Sequence, residues 1–137
     1  MSLVMHLQLA GIGMIGLALA HLAFPRRLGW REELAQLSLL NRQIFWVHTF
    51  FICLVLVMMG LLSLLATAHL LAPTPLARWV LAGFALFWGI RLIVQWFVYD
   101  PRLWRGNRLH TWVHGVFSGI WVYLTTVYTW AWWSLRS

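Results

Sequence analysis

Residues 43–66 read QIFWVHTFFICLVLVMMGLLSLLA, a run with no Asp, Glu, Lys or Arg. Wound as an α-helix at ~1.5 Å per residue, it is longer than the ~30 Å of hydrocarbon in a bilayer. A polar, positively charged lip precedes it, Asn41-Arg42-Gln43, with Trp46 just inside and His48 a turn deeper. This is the pattern of a membrane-spanning helix with an interfacial anchor at one end. Its reading decides the fold, because the rest of the chain repeats it.

Three further segments have comparable length and character: about 3–24, 75–99 and 109–133. The expectation is therefore an all-α integral membrane protein, a single domain over 1–137 built as an antiparallel four-helix transmembrane bundle. Composition agrees. Hydrophobic residues make up 62% of the 137 and charged residues only 9%, too little charge to cover a water-soluble domain of this size. The first segment is rich in small residues (Ala10, Gly11, Gly13, Gly16, Ala18, Ala20), which let a neighbouring helix come close in lipid. Ala18-Leu19-Ala20 has the look of a signal-peptide cleavage site, but no basic residue precedes the apolar run, so the segment is expected to be retained. Pro25 is expected to end it.

Between the first two spans, Trp30, Leu34 and Leu37 fall at helical spacing with charges between them, which predicts a short amphipathic helix lying in the interface. Glu32 and Glu33 there are expected to pair on the surface with Arg26, Arg27 or Arg31. Residues 67–74 read as a short loop carrying His69. Thr74-Pro75 reads as an N-cap followed by proline at the first helical position of the third span.

The formal charge of +7 comes entirely from arginine. Seven arginines sit in two connections: Arg26, Arg27, Arg31 and Arg42 in one, Arg102, Arg105 and Arg108 in the other. The positive-inside rule places both connections in the cytoplasm and both termini outside, in a membrane expected to be a bacterial inner membrane. Tryptophans support it: Trp46, Trp96, Trp104 and Trp112 fall at the inner interface, and Trp79, Trp130, Trp132 and Trp133 at the outer one. The charge is topogenic and lipid-facing, and a nucleic-acid partner is not expected. Cys53, the one cysteine, reads as a small packing residue.

Polar residues recur at one depth near the inner interface: His21, His48, Gln95 and His114, with His110 nearer the rim and Arg91 a turn deeper. In the fourth span His110, His114, Ser118, Trp121, Thr125 and Tyr128 follow helical steps along one stripe. Phe84, Trp88, Arg91, Gln95 and Tyr99 do the same in the third. Lipid offers such groups no partners, so both stripes are expected to face the bundle interior. Arg91 costs at least ~2.5–3.5 kcal/mol at this depth, and no Asp or Glu lies within any span. It is satisfied either by Gln95, backbone carbonyls, Asp100 and water, or by an anion supplied from outside: a cofactor carboxylate, a lipid phosphate or an anionic substrate.

Histidines on three helices at one depth suggest a bound cofactor. Haem b held by two of His21, His48 and His114 suits a four-helix bundle, with Arg91 facing a propionate and Gln95 nearby; Gly115 and Gly119 would leave room for the ring, although such a pair also marks helix packing. The function expected is electron transfer or redox sensing. A three-histidine zinc, copper or iron site, with His110 able to join His114, is the alternative, giving an enzyme acting on a lipid or quinone. A third reading is a non-catalytic accessory subunit of a larger membrane complex, the polar layer specifying helix packing or holding a membrane lipid. The single His-x-x-x-His lacks the repeated boxes of membrane di-iron oxygenases. Nor does the chain carry a phosphate-binding loop or a catalytic triad. A second polar group, His6, Gln8 and His69, falls near the outer face.

Overall fold

The computed structural model describes residues 2–27, 30–100, 102 and 108–136. Among these every regular element is helical: α1 (Leu3–Arg27), α2 (Trp30–Ala35), α3 (Leu39–Leu65), α4 (Thr67–Leu70), α5 (Pro75–Phe97) and α6 (Arg108–Ser134). Three helices are long and apolar enough to cross a membrane: α1 over Leu3–Ala23, α3 and α5. α6 has the length, at 27 residues. Its His110 and His114, threonines, tyrosines and tryptophans make it more polar than the other three. Large apolar side chains stand exposed along the helices, Phe50, Leu65, Ile93 and Phe97 among them. Such a surface is disfavoured in water and at home in hydrocarbon.

The helix ends follow their capping chemistry. Ser38 accepts the Asn41 backbone N–H at the start of α3, and Thr74 accepts that of Ala77 at the start of α5, where Pro75 occupies the first turn. These satisfy donors that a helix N-terminus otherwise leaves bare. α1 continues two residues past Pro25 rather than ending before it. A proline in the last turn removes only its own N–H from the helical ladder, so the helix there can carry it. The 67–74 connection contains α4, a single turn bearing His69. α2 is shorter than the amphipathic stretch the sequence suggests, and on it Leu34 is buried while Glu32 and Glu33 are exposed. The side chains of 24–31, and with them the expected pairing of Glu32 and Glu33 with Arg26, Arg27 or Arg31, lie outside the described residues. So does the stretch 103–107, with Trp104 and Arg105.

The chain divides into two compact units, Leu7–Thr67 and Met1–His6 with Ala68–Ser137. In the first, α1 and α3 run antiparallel and meet through glycine. A Cβ built on Gly11 would lie 2.7 Å from the Gly60 carbonyl oxygen and 3.0 Å from the Leu64 nitrogen. One built on Gly60 would lie 2.9 Å from the Gly11 oxygen and 2.8 Å from Ile15 Cγ1. Further along, the Cys53 thiol donates to the Ala18 carbonyl at 3.7 Å. Two backbones this close gain dispersion contacts that bulkier residues would prevent. Of the small residues in α1, Ala10, Gly11 and Ala18 are buried, whereas Gly13 and Gly16 face open space.

The second unit is an antiparallel pair of α5 and α6 held by aromatic side chains. Phe84 meets Tyr128 edge-on at 5.2 Å, and Trp88 stacks on Trp121 at 5.1 Å with planes 13° apart. Trp88, Trp121 and Tyr128 are buried, as are Leu81, Leu124 and Val127. The residues before Leu7 belong here too, because His6 Nδ1 lies 3.1 Å from the Tyr123 hydroxyl and its ring meets Trp130.

The glycine contact can be tested directly. Gly11→Ala and Gly60→Ala force a methyl against backbone that cannot yield, and each is expected to destabilise the protein by about 1–3 kcal/mol. Gly13→Ala and Gly16→Ala meet nothing and gain helix propensity, up to ~1 kcal/mol each. Thermal unfolding in detergent should therefore show lower midpoints for the first pair and unchanged or higher ones for the second.

Candidate functional site

The third-span stripe Phe84, Trp88, Arg91, Gln95 advances four, three and four residues at a time, so these side chains share one face of α5. The fourth-span stripe His114, Ser118, Trp121, Thr125, Tyr128 does the same on α6. In the structure the two stripes meet. Gln95 is 7% exposed and Trp88 1%, and Arg91 is half-buried between them.

Gln95 is the centre of the cluster. Its Oε1 accepts from Arg91 Nη1 at 3.2 Å and from Trp121 Nε1 at 3.3 Å, while its Nε2 lies 2.8 Å from His114 Nδ1. Arginine and indole nitrogens can only donate, so the carboxamide oxygen must be the atom facing them. The amide nitrogen then donates to His114 Nδ1, and that nitrogen must be the unprotonated one. The network thus assigns neutral His114 its proton on Nε2. In this tautomer the second ring nitrogen is a donor. Metal ligation through Nε2 would require Nδ1 to be protonated and the Gln95 amide to turn, setting its NH2 group against two other donors.

The Arg91 guanidinium lies over the Trp121 ring at 4.8 Å from the centroid and 5.7 Å from that of Tyr99. Cation–π attraction of this kind is worth ~0.5–2 kcal/mol and fixes the plane of the group. Among the described residues Gln95 is the one hydrogen-bond acceptor Arg91 meets, and no carboxylate is paired with it. Asp100, the acid nearest in sequence, takes the Arg102 side chain at 2.6 Å and the Arg102 backbone N–H at 2.8 Å. The Trp88 indole N–H is buried without an acceptor. Donors in this cluster outnumber acceptors, and a buried donor left unmet costs about 1–3 kcal/mol.

His21 and His48 lie in the Leu7–Thr67 unit. Each places Nδ1 2.8 Å from the carbonyl four residues earlier on its own helix, Leu17 for His21 and Ile44 for His48. A carbonyl only accepts, so each neutral ring has its proton on Nδ1 and its lone pair on Nε2. His48 is exposed and His21 half-buried. His110 is exposed in the first turn of α6, and His69 is exposed on α4. The expected layer thus falls in two parts: Arg91, Gln95 and His114 together in one unit, His21 and His48 in the other. Among the described residues no three or more His, Cys, Asp or Glu side chains gather as a metal site. The Gly115 and Gly119 positions on α6 face open space.

The sequence placed Trp88 and Trp121 on the inward stripes without a role. Trp121 proves central, donating to Gln95 while its ring underlies Arg91. The available signal was spacing: Trp121 stands seven residues, two turns, after His114 on the same face. No family model, curated protein or solved structure matches the chain.

Because one carboxamide serves three partners, Gln95→Leu is expected to cost ~2–4 kcal/mol, more than the loss of a single hydrogen bond. Thermal unfolding measures it. The tautomer has its own readout: nitrogen chemical shifts of His114 should show a protonated Nε2 in the wild type.

Proposed function

We propose that this is an integral membrane protein of four antiparallel spans, α6 being the fourth, which binds the anionic head of a membrane-soluble ligand at the Arg91 cluster. At 27 residues, α6 is about 40 Å long and can cross the ~30 Å hydrocarbon layer. The arginine-rich connections face the cytoplasm in this reading, which puts the cluster near the cytoplasmic surface.

One observation carries the proposal: a guanidinium inside a candidate span, clamped over Trp121, with a single neutral acceptor among the described residues. Arginine offers five N–H donors in a fixed fork that suits carboxylate or phosphate. A hydrogen-bond-accepting anion would relieve the donor excess, whereas a cation or metal would worsen it. The exposed ring of Tyr99 beside the guanidinium gives the ligand an apolar wall. In this role the protein is a binding module, a carrier or an accessory subunit.

Binding is tested by gentle detergent purification followed by extraction and mass spectrometry of whatever travels with the chain. The wild type should carry one anionic species near stoichiometry, and Arg91→Met should lose it while Arg91→Lys keeps part. If wild type and Arg91→Met carry the same species in the same amounts, the proposal fails.

A second reading, haem b binding for electron transfer or redox sensing, is favoured by the rings of His21 and His48. Each donates Nδ1–H to a helix carbonyl, the arrangement that orients an imidazole and raises the basicity of Nε2 for an axial bond. Haem iron needs at most two protein ligands, whereas zinc, copper or non-haem iron sites ordinarily draw on three or four. On this reading protein produced with ample haem shows a Soret band that shifts on reduction and disappears in His48→Ala. A colourless, well-folded preparation would remove it.

A further inference from the structure

We infer that the ligand of the Arg91 cluster is an anionic phospholipid, its phosphate held by the guanidinium fork. This rests on the Arg91 reading above and names its ligand.

The first ground is depth. The Arg91 backbone lies six residues before the end of α5 at Phe97, about 9 Å along the axis. The side chain, however, runs toward that end: it donates to Gln95, one turn on, and approaches the Tyr99 ring beyond the helix terminus. The charge therefore sits within about a turn of the end of a membrane-crossing segment, the level where hydrocarbon gives way to headgroups. A long cationic side chain rooted in hydrocarbon and reaching outward in this way is poised for a lipid phosphate.

The second ground is what remains of the guanidinium. Nη1 serves Gln95, and one face lies on Trp121. The Nε and Nη2 edge has no hydrogen bond among the described residues. That edge carries two parallel N–H groups, the geometry that takes two oxygens of one phosphate.

The third is the surroundings. Around the same end stand Trp96, Phe97, Val113 and Val116, all exposed and apolar, against which acyl chains can lie. Trp96 itself is tethered, its Nε1 donating to Ser118 Oγ at 3.2 Å, in the manner of interfacial tryptophans. α6 begins with the exposed Arg108, and Gln95 pairs with His114, so the first turns of α6 extend beyond the end of α5. Asp100, which would repel a phosphate, is already neutralised by Arg102. The local charge is thus positive, and it selects a net-negative lipid over a zwitterionic one whose own ammonium would compete.

The test is native mass spectrometry of the full chain released from nanodiscs made of phosphatidylcholine with phosphatidylglycerol, repeated with added ubiquinone and with haem. The wild type should retain one phosphatidylglycerol, and phosphatidylcholine should leave. Arg91→Met should weaken retention at least tenfold and Arg91→Lys by less. Arg136→Met, which removes a guanidinium stacked on Trp132 near the C-terminal end of the chain, should change nothing. If Arg91→Met does not fold, the Arg91→Lys deficit and the preference between the two lipids decide the matter. Equal retention of both lipids by the wild type, or of phosphatidylglycerol by wild type and Arg91 variants, overturns the inference. Should the Arg91-dependent species be haem, held through a propionate, the lipid assignment falls and the anionic reading of the Arg91 site stands; should it be the neutral quinone, the anionic reading falls as well. If nothing bound depends on Arg91, both fall.

Discussion

A guanidinium placed inside an apolar helix must find acceptors, and here it finds the carboxamide of Gln95. Much of the α5–α6 unit follows from that requirement. The amide oxygen is shared with Trp121, which turns the indole under the arginine. The amide nitrogen then holds His114 in one tautomer. Trp121 in turn stacks on Trp88 and Phe117, so a polar contact near one end continues into the aromatic packing of the pair. Low dielectric strengthens each of these bonds and raises the cost of breaking any one.

The two units solve the same problem by different means. In lipid there is little hydrophobic gain in bringing helices together, because the tails are as apolar as leucine. α1 and α3 associate through backbone approach at Gly11 and Gly60, where a missing Cβ lets carbonyls and Cα atoms touch. α5 and α6 associate through wide rings and a shared hydrogen-bond network. The first kind of contact tolerates no added atoms. The second tolerates no lost acceptors.

Histidine chemistry separates along the same line. His21 and His48 each donate to their own helix, which leaves the basic lone pair on Nε2. His114 instead accepts from Gln95 at Nδ1, which puts the proton of the neutral ring on Nε2. Three histidines of equal depth in the sequence therefore differ in tautomer, Nδ1–H in His21 and His48 and Nε2–H in His114.

The apolar runs were legible from composition and length alone, since a bilayer leaves a chain few choices beyond helices that satisfy their own backbone. So were the inward stripes of α5 and α6, because a 3.6-residue period fixes which side chains share a face, and Phe84, Trp88, Gln95, Trp121 and Tyr128 all followed it. Arg91 stood out from the absence of any acid in its span. What only the tertiary structure decided was partnership. That Gly11 rather than Gly13 or Gly16 meets another helix, that Trp121 supports Arg91, and that His114 takes its proton on Nε2 all depend on rotation and register between helices. Those are set by contacts among side chains distant in sequence, and a pattern within one helix carries no information about them.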